Sequence, residues 1–156
     1  MLQRLSIRNY ALIQDLEVNW SEGFTTITGE TGAGKSIMLG AIQLLLGQRA
    51  DLSVLRNQEE KCILEAQFKL PKRLKSLFED ADLDFEVETV LRREIIPSGK
   101  SRSFVNDSPV KQQQLQNVGF ALIDIHSQHQ VQNLNDDAYF LDCLLYTSPS
   151  PRDLST

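Results

Sequence analysis

The sequence is poor in the residues and runs that mark several classes of protein. Its 156 residues include only two cysteines, Cys62 and Cys143, and these stand in no metal or redox spacing. The longest apolar stretch, residues 37–46, is too short to span a bilayer, and the N-terminus lacks the apolar region of a secretory signal. Isolated thiols are typical of a reducing compartment, so we expect a cytoplasmic protein without a membrane anchor.

The chain also has fewer basic than acidic residues. Sixteen Lys and Arg residues stand against 21 Asp and Glu residues, which gives a formal net charge of −5 at pH 7. This balance gives no support to bulk electrostatic attraction for DNA or for anionic membranes. Hydrophobic residues make up 41% of the chain and charged residues 24%, which is ordinary for one globular domain of this length.

A glycine-rich stretch supplies the one motif whose spacing dictates a chemistry. Residues 29–36 read Gly-Glu-Thr-Gly-Ala-Gly-Lys-Ser, a full match to G-x-x-x-x-G-K-[ST]. The β-rich residues 24–28 precede the motif, and the apolar residues 37–46 follow it as a predicted helix that ends at Gly47. A strand, a loop and a helix in this order aim backbone N–H groups and the positive helix end at an anion. We therefore predict a nucleotide site rather than a glycine turn that binds nothing.

The loop residues have distinct predicted roles. The glycines let the backbone approach phosphate oxygens closely. Lys35, which we also predict to be catalytic, places an ammonium between the β- and γ-phosphates, and Ser36 offers a hydroxyl to Mg²⁺. No side-chain chemistry is assigned to the variable positions. The predicted phosphate-binding residues are Gly29, Glu30, Thr31, Gly32, Ala33, Gly34, Lys35, Ser36 and Ile37.

The rest of the pattern predicts an α/β fold with an antiparallel portion. Alternating apolar and polar residues indicate strands near residues 4–8, 15–20, 62–70, 87–96 and 102–105, with a hairpin at 97–100 and a turn at 106–109. Pro71 opens a short amphipathic helix with Phe78 on its apolar face. The apolar run Phe120 to Ile125 is interpreted as a buried strand that brings residues 126–129 near the phosphate loop.

Five segments together resemble the RecN family of bacterial ATPases that repair DNA double-strand breaks, relatives of the structural-maintenance-of-chromosomes (SMC) and ABC-type ATPases. The segments, in family order, are residues 5–13, 27–36, 44–51, 99–106 and 124–130. The resemblance covers about residues 1–143. It implies the N-terminal part of an ABC/SMC-type P-loop NTPase head with an antiparallel β lobe, binding ATP and Mg²⁺.

The resemblance also gives Gln128 a role. In such ATPases the Q-loop glutamine contacts Mg²⁺ and the attacking water, and an amide that both accepts and donates can do this. From the residues alone, a surface glutamine in a polar loop stays open as an alternative. His126 and His129 with Asp124 suggest a metal site only weakly, because no further ligand cluster appears. We prefer hydrogen bonds that orient the loop.

Several basic residues outside the loop are candidates for contacts with nucleotide or DNA. Arg49 and Arg56 follow the first helix, where related ATPases carry an arginine that touches one or the other, and a solvated surface position is the equal alternative. The Arg92-Arg93 pair, with Lys100 and Arg102 on the hairpin, could meet DNA phosphates. Single charges on the solvent face of a strand are commoner.

Some motifs of an ABC-type ATPase do not occur in the sequence. There is no apolar run followed by Asp-Glu, no Leu-Ser-Gly-Gly signature and no sustained heptad pattern. In RecN these parts lie downstream, so we expect an N-terminal fragment that does not hydrolyse ATP alone. The resemblance implies two partners in the full protein, the C-terminal half of the same head and a second head in a homodimer, and DNA is engaged by that assembly.

The last residues depart from the family pattern. Residues 144–156 are rich in Ser and Pro and are interpreted as a non-native or disordered tail, with a genuine linker as the alternative. Three other functions remain open for the chain: the head of another SMC or recombination ATPase, a nucleotide-binding piece without catalysis, and an isolated DNA-binding module. The acidic balance disfavours the last of these.

Overall fold

A six-stranded antiparallel sheet is the main element of the described chain. The computed structural model describes residues 1–29, 33–50 and 52–123. The strands are β1 Leu2–Tyr10, β2 Ile13–Asn19, β3 Cys62–Lys69, β4 Glu88–Ile95, β5 Ser101–Val105 and β6 Ser108–Val110. Their spatial order is β2-β1-β3-β4-β5-β6. The helices are α1 Ala33–Leu45, α2 Lys75–Asp80 and α3 Gln112–Leu122, with 3-10 turns at Leu52–Val54 and Lys72–Leu74.

One face of the sheet forms the core, because successive residues of a strand point to opposite sides. Helix α1 contacts β3 and β4 on this face, and α3 contacts β5. Paired residues in adjacent strands share a face, as in the row Leu5, Ala66, Leu91 and Val105. The apolar residues of this face that are at most 2% exposed are Leu5, Ile7, Cys62, Leu64, Ala66, Phe68, Leu91, Ile95 and Val105.

The opposite face carries ion pairs. Arg4 pairs with Glu65 at 2.7 Å, and Lys61 pairs with Glu94 at 3.4 Å. These side chains remain partly exposed, so each pair contributes little to the free energy of unfolding. The alternation of burial along β1, β3 and β4 therefore follows directly from the alternation of apolar and polar residues in the sequence.

The prediction of an α/β fold with an antiparallel lobe is confirmed, and so are most of its elements. Strands β1, β3, β4 and β5 lie where alternation indicates them. The hairpin turns at Gly99, whose φ is +84°, and the Ile96 N–H donates to the Lys100 carbonyl at 3.0 Å. Helix α1 ends before Gly47, whose φ of +99° is the left-handed conformation that favours glycine. Pro71 precedes the 3-10 turn that leads into α2.

The predicted strand at residues 24–28 is wrong for this structure. No residue of that segment pairs with a strand of the described sheet, and Phe24 is 95% exposed. A β-branched and aromatic composition reports how well side chains fit a pleated, half-buried surface. The described residues offer this segment no such surface, so its composition alone does not make it a strand.

The predicted strand at residues 120–125 is also wrong where the structure describes it. Residues 120–122 form the last turn of α3, and Phe120 is 63% exposed. A short apolar run does not distinguish helix from strand. Glutamine-rich residues 112–116 concealed the start of the helix, whose buried residues are Leu115, Val118 and Gly119.

The predicted turn at residues 106–109 is shorter than expected. Asn106 and Asp107 alone form it, with φ values of 47° and 64°, as a two-residue hairpin loop requires. Ser108 and Pro109 already belong to β6, which pairs with β5. Proline is acceptable there because β6 is the edge strand, where its missing N–H interrupts no central ladder.

Replacing Phe78 tests the packing of α2 into the core. Phe78 is fully buried and makes an edge-to-face contact with Phe85, with 5.5 Å between ring centroids. Phe78→Ala should lower the free energy of unfolding in urea by about 3–5 kcal/mol, because it removes apolar contacts and leaves a cavity. The control Phe120→Ala, at an exposed site, should change it by less than about 0.5 kcal/mol. Equal effects of the two variants would contradict this description of the core.

Candidate functional site: the phosphate-binding loop and its helix

The described part of the glycine loop borders open space. A Cβ built at Gly29 or Gly34 would meet no atom within 4 Å. Gly34, Lys35 and Ser36 are exposed at the start of α1, and Glu30, Thr31 and Gly32 lie outside the described residues. The first turn of α1 contains no acidic side chain, so the positive end of the helix dipole faces this space without a carboxylate of its own helix. The arrangement fits an anionic group.

The Lys35 ammonium lies beside the first glycine of the loop. Its Nζ donates a hydrogen bond to the Gly29 carbonyl, with 2.7 Å between the two atoms. This bond joins the two ends of the motif and keeps the positive charge at the helix start. A flexible four-carbon stem allows the same ammonium to contact phosphate oxygens nearby. The position agrees with the role predicted from the sequence, which stays a prediction.

Few groups in the described chain could hold a metal ion. No cluster of three or more His, Cys, Asp or Glu side chains with suitable placement occurs in residues 1–29, 33–50 and 52–123. Mg²⁺ is often held by one or two protein oxygens, with phosphates and waters completing the shell. The exposed hydroxyl of Ser36 fits that pattern. Gln128, the other predicted ligand, lies outside the described residues, as do His126, His129 and Asp124.

Gly40 allows α1 to lie close to the end of β1. A Cβ at Gly40 would be 2.7 Å from the Tyr10 hydroxyl oxygen, closer than such atoms approach. Glycine inside a helix costs about 1 kcal/mol relative to alanine, and this contact gives a reason for it. Tyr10 is 8% exposed, and burial raises the pKa of its hydroxyl. The tyrosine is therefore neutral at physiological pH and packs against α1 at Gly40.

A buried arginine meets the other end of α1. Arg93, on the core face of β4, is 1% exposed. Its Nη1 donates hydrogen bonds to the carbonyls of Leu44 and Gln48, and its Nη2 donates to the Ser101 hydroxyl at 3.3 Å. The carbonyls at a helix C-terminus carry partial negative charge, which a guanidinium complements. The candidate role of Arg93 in binding DNA phosphates is therefore wrong, because its side chain does not reach the surface.

Burial shifts the pKa of Arg93 and that of the neighbouring thiol of Cys62. Desolvation lowers the pKa of the Arg93 guanidinium, which remains charged because an arginine pKa starts so high. Burial raises the pKa of Cys62 to about 12, although Arg93 acts in the opposite direction. Cys62 thus keeps its proton and serves as a small apolar residue.

Two glutamines from α3 reach the same end of α1. The side-chain amides of Gln112 and Gln116 both donate to the Gly47 carbonyl, at 2.7 and 2.8 Å. Together with Arg93 they satisfy the carbonyls of Leu44, Gly47 and Gln48, and we call these three side chains the C-terminal clamp. Gln112 and Gln116 were not predicted from the sequence as site residues, and Arg93 was a candidate only for contact with DNA phosphates. A signal for Arg93 existed, since it occupies an inward position of β4 between Leu91 and Ile95.

The other basic candidates are placed less specifically. Arg56 donates from Nη1 to the Leu12 carbonyl at 2.9 Å, so it braces the turn between β1 and β2. Arg49 is exposed, and so are Lys100 and Arg102 on the hairpin. Arg92 pairs with Asp107 at 2.8 Å and lies over the Phe104 ring, which accounts for it without DNA.

Comparison with known proteins decides the family. A model of the RecF/RecN/SMC N-terminal domain matches residues 1–127. The chain belongs to this family. It is 44% identical over 146 residues to the DNA repair protein RecN of Vibrio cholerae, and 42% identical over 147 residues to that of Bacillus subtilis. Each match covers 92% of this chain and 26% of the relative. The chain thus spans about a quarter of the length of these curated relatives.

The fold agrees with solved SMC structures. One, described as "Structural biochemistry of ATP-driven dimerization and DNA stimulated activation of SMC ATPases", matches with a TM-score of 0.63 and 18% identity. The match covers 98% of this RecN-like chain and 94% of that one. The fold is that of the N-terminal part of an ABC/SMC-type ATPase head, as the sequence predicted. In the described ranges, no helix is long and apolar enough to cross a membrane.

A double-mutant cycle tests the contact between α1 and β1. Gly40→Ala alone should destabilise the chain or leave it unimproved, because the new Cβ meets the Tyr10 oxygen. In a Tyr10→Phe background the oxygen is gone, and the same change should stabilise by about 1 kcal/mol through helix propensity. Urea unfolding of the four proteins should give a coupling energy of at least about 1 kcal/mol. Additive effects would show that α1 does not lie against Tyr10 as described.

Proposed function

We propose that this RecN-like chain binds ATP at Gly29–Ile37, within an ATPase that acts in DNA double-strand-break repair and recombination. The observation that carries the proposal is the position of Lys35. Its ammonium lies 2.7 Å from the Gly29 carbonyl, at the start of a helix whose first turn has no acid and borders open space. Phosphate groups satisfy both the charge and the unpaired helix N–H groups.

Adenine nucleotide is proposed over other anions because of the family. The RecN relatives are DNA repair proteins, and the SMC structure is described in terms of ATP-driven dimerization. The motif would supply the phosphate contacts, and the Ser36 hydroxyl would hold Mg²⁺, which would supply positive charge against the phosphates. Gln128 is the proposed second contact to Mg²⁺ and to the attacking water. A metal bound there neutralises phosphate charge, while this chain's residues bind and orient.

Hydrolysis is proposed for a larger assembly. The sequence contains neither the acidic pair nor the Leu-Ser-Gly-Gly signature of such ATPases. We propose that these come from the C-terminal half of the head and from a second head, so that the chain alone binds ATP without turnover. DNA would be engaged by the assembled dimer in the bacterial cytoplasm, since a net charge of −5 does not favour DNA binding by this chain itself.

The relatives favour a RecN-type role over that of another recombination ATPase. Identity of 44% to one RecN stands against 18% to the SMC structure. We therefore propose a RecN-type role over that of another SMC-like head. The boundary at residue 143, with a non-native tail from 144 to 156, stays a prediction, because those residues lie outside the described part.

Replacing Lys35 tests the nucleotide site. Lys35→Ala should raise the dissociation constant for a fluorescent ATP analogue with Mg²⁺ by about tenfold or more, since it removes a charge-assisted phosphate contact. The matched control is Lys75→Ala, because Lys75 is an exposed lysine on α2, away from the loop, that pairs with Glu79 across one turn at 3.6 Å. The control should bind as the parent chain does. Unchanged affinity in Lys35→Ala would overturn the assignment of the loop.

A further inference from the structure

We infer that Arg93 is a positioning residue for nucleotide binding, which holds α1 in the orientation that aims the phosphate loop at its ligand. The inference rests on the proposed function. It begins from an unusual placement, because Arg93 is among the largest fully buried side chains of the described residues. Its two hydrogen-bonded backbone acceptors, the carbonyl of Leu44 in the last turn of α1 and that of Gln48 just after the helix, lie at the end opposite the loop.

Stability alone gives a weak reason for a buried arginine. Moving a guanidinium out of water is costly, and apolar residues of similar volume often serve as well or better. The arrangement is also incomplete as a network, since Arg93 Nε is buried without a hydrogen-bond partner among the described residues. The guanidinium instead constrains the orientation of its partners, because its planar donors bind acceptors at fixed positions. Here those groups are one carbonyl in the last turn of α1 and one in the turn that follows it.

The C-terminal clamp fixes α1 from two separate elements. Arg93 approaches from β4, while Gln112 and Gln116 approach from α3 and share the Gly47 carbonyl. Gly47 has no room for a side chain there, since a Cβ would lie 2.5 Å from Gln116 Cγ. Further along the helix, Gly40 lies against Tyr10. The helix is therefore held at its end and near its middle, while residues 34–36 of its first turn are exposed beside the phosphate loop.

Helix geometry relates the clamp to the loop. Thirteen residues of α1 extend about 20 Å from the clamp to the first turn. Tilting a rigid rod of that length by ~5° moves its far end by ~2 Å. Displacements near 1 Å at a site can cost up to about a hundredfold in function, because hydrogen bonds to a ligand depend on position. If the clamp only stabilises the fold, removing it should leave the ligand affinity of the folded chain unchanged. If it also orients the helix, removing it should lower that affinity.

The test compares two adjacent arginines. Arg93→Gln removes the charge at the clamp, and Arg92→Gln removes one from the opposite face, where the side chain pairs with Asp107 and does not touch α1. The dissociation constant for the fluorescent ATP analogue with Mg²⁺ is measured on the full 156-residue chain. Urea curves recorded separately establish conditions in which each variant is folded.

Arg93→Gln should weaken binding by about tenfold in the folded chain, and Arg92→Gln by less than about twofold. Arg93→Lys should recover part of the loss, because an ammonium can still donate to a carbonyl at the helix end. Lower stability with an unchanged dissociation constant would overturn the inference and leave Arg93 a purely structural residue.

Two further variants keep the test decisive. If Arg93→Gln does not fold, Arg93→Lys and the double change of Gln112 and Gln116 to Leu decide the question. The double change removes both donors to Gly47 and should weaken binding about threefold, whereas unchanged affinity in both would contradict the inference. Lys35→Ala in the same assay separates the two claims. An unchanged dissociation constant in Lys35→Ala would contradict the proposed function. Weaker binding in Lys35→Ala together with an unchanged dissociation constant in the Arg93 variants would contradict only the positioning role.

Discussion

The hydrogen bonds from Arg93 to the carbonyls of Leu44 and Gln48 hold the C-terminal end of α1, the helix that follows the glycine loop, against the sheet. The loop follows an exposed segment, residues 24–29, in which the described structure has no strand. Its orientation therefore depends on the helix that follows it. That helix is attached through apolar packing of Ala41, Leu44 and Leu45 and through the directed bonds at its end. Apolar burial is non-directional, whereas hydrogen-bond donors at defined positions also fix the direction of the groups they bind.

The sheet supplies the platform for this attachment. Its core face is apolar across four neighbouring strands, and the single charged side chain buried there belongs to Arg93 among the described residues. The opposite face carries compensating charges such as Arg4 with Glu65, which keep it solvated. A buried charge on one face and paired charges on the other have different consequences. The buried charge of Arg93 constrains the position of a helix, whereas the exposed ion pairs contribute little to the free energy of unfolding and mainly keep that face soluble.

Short sequence patterns correctly predicted the elements whose structure depends on neighbouring residues. Alternation located β1, β3 and the β4–β5 hairpin, because periodicity and turn chemistry act over a few residues. The helix predicted over residues 37–46 is α1, which begins four residues earlier, at Ala33 inside the motif. The failures at residues 24–28 and 120–122 have another cause. Both runs are apolar, and whether such a run forms a strand depends on a partner distant in sequence. Arg93 was interpreted as a surface charge, although its inward phase between Leu91 and Ile95 pointed to the core.

Backbone amide hydrogen exchange, with and without Mg²⁺ and ATP, tests the central claim most directly. If the loop binds phosphate from the end of a helix held by the sheet, ATP should slow exchange at residues 29–37 and in the first turns of α1. The amides of β3, β4 and β5 should be unchanged, because the platform is already formed without ligand. Protection confined to the hairpin at 97–100, or none in α1, would contradict the account.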